Sequence, residues 1–324
     1  MLPGQMMTEP LTITSIMRFA DKIYGEAEIV SITADNPMHR YTYADAFGRA
    51  RQLANALAAA GVEQGDRIAT LAWNDYRHFE LYYAIPCSGA VCHTINPRLF
   101  PEQVEYIVNH ADDKLLFTDP AFLPLLEGLQ GKLPSLERIV VLTDAANMPQ
   151  TSLPGVQDYE SFIADHPDEF DWPELDENAA SGLCYTSGTT GNPKGVLYSH
   201  RSCVLHSYGA ALPDTMNLSC HDVILPIVPM FHVNAWSIPF AAAMVGTKMV
   251  FPGPKMGDGE TLQRLIESEG VTMSAGVPTV WLALLGYLRD SGKAVDSLQR
   301  VVVGGAACPL SIMEEFEQRH GVYT

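Results

Sequence analysis

Residues 185–195, YTSGTTGNPKG, gather four small hydroxyls (Thr186, Ser187, Thr189, Thr190), three glycines (Gly188, Gly191, Gly195) and one cation, Lys194. That is a set of groups suited to an anion. Glycine allows left-handed or close-approach backbone, so successive N–H groups turn toward one charge. The hydroxyls add donors and Lys194 adds charge. Because Lys194 follows Pro193 and precedes Gly195, the loop lacks the Gly-Lys-Ser/Thr ending with which a P-loop brings a hydroxyl to magnesium. It reads as a clamp on a polyphosphate tail. The plainer alternative, a Ser/Gly hairpin turn, needs neither this density of hydroxyls nor a lysine.

The elements around the loop must hold it. YTYADAFGRARQLANALAAAGV (41–62) places Phe47, Leu53, Ala54, Leu57 and Ala58 near one helical face, and Gly61 supplies the stop. DRIATLAW (66–73) and ERIVVLTD (137–144) read as strands, and EYIVNHADDKLLFTD (105–119) as helix, turn and strand. DEFDWPELDEN (168–178) carries six acids, no base and one proline, the composition of a solvated connection. SGLCYT (181–186) is a strand leading into the loop, and GVLYS (195–199) is another, with Ser199 placed to cap a helix from His200. Strands over TKMVFPG, VTMSAGVPT and LQRVVVGGAACP, and helices over PTVWLALLGYL (opened by Pro278) and PLSIMEEFEQRHG, complete the alternation. Alternating strands and helices imply largely parallel sheets, covered on both faces. The expected division is an α/β lobe over about 65–180, and a second over 181–324 that includes the N-terminal segment and carries the loop.

The 324 residues suffice for two domains with a sizeable core. The net charge of −18, from 20 basic and 38 acidic side chains, argues against general affinity for nucleic acid or anionic lipid. The best membrane-span candidate, AWSIPFAAAMVGT (235–247), is too short. No basic region followed by an apolar one opens the chain, so a soluble protein is expected. The six cysteines form no C-x2-C pair, which fits a reducing cytoplasm. CSGAVCH (87–93) reads as small buried residues rather than metal ligands, since a second ligand pair is missing.

YTSGTTGNPKG resembles the signature loop of the adenylate-forming superfamily: acyl-CoA synthetases, firefly luciferases and the adenylation domains of peptide synthetases. PMFHVNAW (229–236), AGVPTVW (275–281) and VVVGGAACP (301–309) agree with it in order and spacing, as does NDYRHFELYYAIPCSGAVCHTINPRL (74–99). The similarity is greatest to medium- and long-chain fatty acyl-CoA synthetases. It implies two stacked α/β lobes of the N-terminal domain, cut before the β-barrel and the C-terminal domain. It implies ATP-dependent conversion of a fatty acid to an acyl-adenylate and then, with coenzyme A, to a thioester.

By the same resemblance, residues Thr186 to Lys194 (with Ser187, Gly188, Thr189, Thr190 and Gly191 between) grip the β- and γ-phosphates. Thr186 is the loop's contributor to Mg2+, and Gly304, Gly305 and Ala306 pass flat against adenine. Lys194 and His232 are the catalytic candidates. His232 stands where amino-acid-adenylating relatives place an aspartate, so with Val233, Trp236 and Gly276 it implies an acid without an ammonium group, Trp236 gating an acyl tunnel. The plainer readings are a core tryptophan and a histidine that is merely hydrogen-bonded. Relatives also carry a magnesium-binding glutamate, a ribose-binding aspartate and a mobile lysine further on, so the chain as given is expected to be incomplete and inactive alone. Alternatives are an aryl acid:CoA ligase and a non-catalytic nucleotide- or acyl-binding module. A homodimer through residues 6–20 is a further expectation; those residues could equally cover their own lobe.

Overall fold

The computed structural model describes residues 2–186 and 192–324. In chain order the strands are β1 (Glu28–Ser31), β2 (His39–Thr42), β3 (Arg67–Leu71), β4 (Val91–Thr94), β5 (Asp113–Thr118), β6 (Arg138–Val141) and β7 (Gln157–Asp158). There follow β8 (Ala180–Thr186), β9 (Lys194–Ser199), β10 (Val223–Pro226), β11 (Lys248–Phe251), β12 (Met273–Gly276) and β13 (Arg300–Val303). They form two sheets, ordered β7-β6-β5-β3-β4-β8-β9 and β13-β12-β10-β11-β1-β2. Among the described residues the pairing is parallel except at one edge of each sheet, where β8/β9 and β1/β2 are antiparallel.

This topology corrects the expected division after residue 180. β8 pairs with β4, through Cys92↔Gly182 and His93↔Leu183, and β9 pairs with β8. Both strands that flank the loop therefore close the first sheet, and the second sheet takes up the chain again only at Val223. Alternation of strands and helices says nothing about which sheet a strand joins. The N-terminal strands do join the second sheet, β1 lying parallel to β11.

The helix Tyr43–Ala59 starts two residues later than the sequence suggests. Thr42 ends β2 and then caps the helix, its hydroxyl accepting from the Asp45 N–H while Asp45 reaches back to the Thr42 N–H. Its buried face is Phe47, Leu53, Ala54, Ala56 and Leu57, whereas Ala58 is exposed. Ser199 does cap the helix His200–Ala211, accepting from Ser202 N–H at 3.1 Å. The acidic connection 168–178 has no regular structure, yet it is pinned. Asn55 donates to the Glu169 carbonyl at 2.8 Å, and Glu177 accepts from Leu11 N–H at 2.8 Å.

Between the sheets runs the helix Tyr76–Cys87, buried at all 12 positions. A helix buried all round is normally apolar all round; here three charged or titratable members are matched instead. Arg77 pairs with Asp35 at 3.0 Å and Glu160 at 2.8 Å; Glu80 takes Arg49 at 2.7 Å and the Tyr159 hydroxyl at 2.6 Å. His78 Nε2 lies 3.0 Å from Thr70 Oγ1. Asp75 caps the helix, accepting from His78 N–H at 2.9 Å. The aromatic rings of Phe47, Phe79, Tyr83 and Phe240 meet in series along it, tilted or edge-on to one another, so one core serves both sheets.

Candidate functional site

The β8/β9 hairpin positions the glycine-hydroxyl loop. Its last register pair is Thr186↔Lys194, with Tyr185↔Gly195 behind it. Thr186 and Lys194 are both exposed at this end, the Thr186 hydroxyl reaching the Lys194 carbonyl at 3.5 Å. Gly195 lets the strands close: a Cβ there would stand 3.2 Å from Leu183 Cδ1 and 3.3 Å from the Tyr185 ring. Tyr185 is held from below by His110, its hydroxyl 2.6 Å from Nδ1. Ser187, Gly188, Thr189, Thr190 and Gly191 lie outside the described residues. No group of three or more His, Cys, Asp or Glu side chains able to hold a metal occurs among the described residues.

The second component is the turn Val233–Ser237. Five consecutive non-glycine residues have positive φ, at 50°, 48°, 47°, 54° and 56°. Left-handed backbone costs an L-residue roughly 1–2 kcal/mol, so the run stores strain that its surroundings must hold. Asn234, Ala235 and Ser237 are buried, His232 and Val233 exposed. Partial burial lowers the His232 pKa, which keeps the ring neutral at pH 7. The left-handed path, not a place on the helix Ile238–Val245, decides where Trp236 goes.

It goes to Gly304. A Cβ on Gly304 would lie 2.5 Å from Trp236 Cη2 and 2.7 Å from Cζ2, so the indole occupies the space that a side chain would need. Gly305, at φ 77°, and Ala306 continue from β13 as an exposed ledge. Gly304 N–H donates to the Gly276 carbonyl at 3.2 Å. Gly276 itself is buried, its Cβ direction meeting Trp281 Cζ2 at 3.0 Å and Ile227 at 3.6 Å. The structure thus brings Trp236, Gly304 and Gly276 together, with Gly276 facing the packed side of the sheet.

β8 joins the two components. Cys184, two residues before Thr186, lies with its Sγ 4.0 Å from Asn234 Oδ1, and Asn234 Nδ2 is 4.0 Å from Cys203 Sγ. Behind the turn is a small internal cavity lined by Tyr82, Cys92, Gly182, Cys203, Asn234 and Phe240. Burial raises the thiol pKa values of Cys92, Cys184 and Cys203, so all three stay protonated at neutral pH. The sequence reading singled out neither this cavity nor Asn234, because nothing in VNAW announces a left-handed turn.

Two largely parallel sheets sharing one core, with the hydroxyl-rich hairpin on the edge of one and a glycine ledge at a strand end of the other, are the N-terminal domain architecture of adenylate-forming enzymes. The chain belongs to the AMP-binding enzyme family, whose profile matches residues 19–324. It is 51% identical over 319 residues to a medium-chain-fatty-acid–CoA ligase of Ectopseudomonas oleovorans, covering 98% of this chain and 58% of the relative. It is 50% identical over 321 residues to a 3-methylmercaptopropionyl-CoA ligase of Ruegeria pomeroyi, covering 99% of this chain and 59% of the relative. Among solved structures it superposes on the anthranilate CoA ligase AuaEII in complex with anthranoyl-AMP, with a TM-score of 0.85 at 24% identity, over 96% of this chain and 58% of the other. At that identity the likeness concerns the fold alone. The chain spans a little under three-fifths of the length of the curated relatives it matches.

Proposed function

We propose that this chain forms the nucleotide- and acyl-binding half of an AMP-forming fatty acid:CoA ligase. The observation that carries the reading is the seat of Trp236 on Gly304. In this reading Trp236 borders the acyl group and the Gly304–Ala306 ledge takes the base, and their contact supports a carboxylate and the α-phosphate of ATP meeting between them. Lys194 and the hydroxyls from Thr186 onward then neutralise and hydrogen-bond the β- and γ-phosphates as the carboxylate oxygen attacks phosphorus and pyrophosphate leaves. His232, neutral and exposed at the mouth, offers a ring N–H to the acyl carboxylate without selecting for a substrate ammonium group. Coenzyme A sulfur then attacks the acyl carbon and AMP departs.

Mg2+ fits this donor set in a restricted way. Thr186 supplies one exposed hydroxyl, and magnesium habitually keeps waters and binds substrate phosphates rather than an all-protein cage. Thr186 would hold it beside the phosphates, where the ion supplies charge neutralisation.

An acid without an ammonium group is favoured, because the relatives act, by their names, on medium-chain fatty acids and on 3-methylmercaptopropionate. The N-terminal helix Ile13–Tyr24 buries Ile13, Ile16 and Met17 on its own lobe and leaves Phe19 and Ile23 exposed, Phe19 lining a groove with Tyr208 and Leu212. That outer face is the proposed homodimer contact. No helix among the described residues is long and apolar enough to cross a membrane. Cytoplasmic placement is part of the proposal and rests on the free cysteines.

The test is fatty-acid-dependent ATP–pyrophosphate exchange by a full-length protein bearing this sequence, across acids from 3-methylmercaptopropionate to palmitate. Lys194→Ala is expected to lower exchange about a hundredfold, while thioester formation from supplied acyl-adenylate falls less. Equal losses in both half-reactions would remove Lys194 from phosphate binding. Exchange independent of any fatty acid would remove the acyl assignment.

A further inference from the structure

We infer that Asn74 is the positioning residue for the strained turn that carries His232 and Trp236, and so sets how well the site holds the acyl part of an acyl-adenylate. The inference rests on the acyl-site reading above, and it adds a residue far from that turn in sequence.

Asn74 is fully buried. Its Nδ2 donates to the Pro226 carbonyl at 3.0 Å and to the Val228 carbonyl at 2.8 Å, and its Oδ1 accepts from Met230 N–H at 2.7 Å. These three partners alternate along 226–230, the segment that leaves β10 and leads into the turn. Pro226 and Pro229 have no N–H to give, and the Ile227 and Val228 N–H groups are both spent on the Ala275 carbonyl. What the segment presents to Asn74 is two acceptors and one donor. A primary amide is their complement, and no other neutral side chain but glutamine carries that set.

The anchor is itself anchored in the first lobe. Trp73 N–H donates to Asp119 Oδ2 at 2.6 Å on one side, and Asp75 caps the buried helix on the other. The Asn74 carbonyl accepts from Gly253 N–H at 3.0 Å, tying in the second sheet's loop. From that same helix the Tyr82 hydroxyl donates to the Met230 carbonyl. Two residues later His232 N–H bonds back to Pro229 at 3.1 Å, and the positive-φ run begins at the next residue. A run of left-handed residues holds only where the backbone entering it is fixed. Downstream, Asn234 makes only long contacts to sulfur, at 4.0 Å. The strong constraint lies upstream, at Asn74.

Asn74→Asp keeps shape and the Met230 bond but turns an oxygen toward two carbonyls. The experiment compares binding of 5′-O-(N-octanoylsulfamoyl)adenosine and of AMP to the chain and its variants by calorimetry. Asn74→Asp is expected to weaken the octanoyl compound about tenfold or more while AMP affinity stays within about twofold. Should Asn74→Asp not fold, Tyr82→Phe removes only the second tie and is expected to weaken the octanoyl compound about threefold with AMP unchanged. A merely structural role lowers both affinities together, and that result overturns the inference. Trp236→Ala separates the two levels. If it abolishes the octanoyl advantage while Asn74→Asp and Tyr82→Phe keep it, positioning is overturned and the acyl site stands. If the advantage survives Trp236→Ala, the acyl-site reading falls and this inference with it.

Discussion

The helix Tyr76–Cys87 and the turn Val233–Ser237 lie within one core and treat their polar groups in opposite ways. In the helix, buried charge is matched: Arg77, Glu80 and Asp75 all have partners within 3.1 Å. In the turn, five residues sit in left-handed backbone, and the one buried amide, Asn234, meets only sulfur at 4.0 Å. A matched buried network resists rearrangement because every alternative strands a charge. A strained, loosely bonded segment has alternatives of similar energy. The helix is thus the frame, and the turn is the segment held under strain.

Breaking the frame should cost most. Glu80→Ala leaves the Tyr159 hydroxyl without its buried partner and leaves Arg49 with Glu160 alone, and should lower unfolding stability by roughly 2 kcal/mol, read from urea midpoints. A loss below about 1 kcal/mol would show that the network is not the stabilising element proposed.

Acid probes a different buried site. Burial lowers the His200 pKa to about 4 from its ordinary 6.5. Between these values the unfolded chain binds a proton that the folded chain refuses, so this residue's contribution falls as pH falls from 6.5 to 4. Several buried carboxyls shift upward and oppose it, Asp75 to about 6, so the comparison must be differential. His200→Gln should lose less stability than the parent between pH 6.5 and pH 4, by up to about 3 kcal/mol. Parallel pH profiles would mean that His200 already titrates normally.

The turn should respond in the other direction. Ala235→Gly relieves a φ of 47° and is expected to stabilise by up to about 1 kcal/mol, less whatever the lost buried methyl contributes. Destabilisation by more than about 1 kcal/mol would mean that the left-handed path carries no strain. The smallest effect on stability belongs to Gly304→Ala. The nearest neighbours of its Cβ are all atoms of the Trp236 indole, a half-buried ring that can move, so stability should change by less than about 1 kcal/mol. Tryptophan emission should nevertheless change as the ring leaves the ledge, and unchanged emission would deny the contact.

The legible parts of this molecule were those whose chemistry is local. The hydroxyl-glycine-lysine density of 185–195 needs no tertiary information, and Ser199 capping the helix His200–Ala211 follows from residue type and position. Sheet membership was not local: β8 and β9 read as strands, yet only pairing with β4 places them in the first sheet. The helix Tyr76–Cys87 hid its depth because Arg77, His78 and Glu80 look like a solvent face until Asp35, Glu160, Thr70 and Arg49 are brought to them. Gly276, expected beside the acyl group, is buried, and a Cβ there would meet the Trp281 ring at 3.0 Å, a closeness that its own sequence does not announce. Asn74 and Asn234 gave no signal, since their partners are backbone carbonyls and thiols from other elements.

The central claim is that nucleotide and acyl group are held at one place, across the contact between Trp236 and Gly304. The most direct measurement is a titration of this chain with octanoate, AMP and the covalently joined octanoyl sulfamoyl adenosine under one set of conditions. The account predicts that the joined compound binds about a hundredfold more tightly than AMP, and that Trp236→Ala removes most of that difference. Equal affinity for AMP and the joined compound would contradict it.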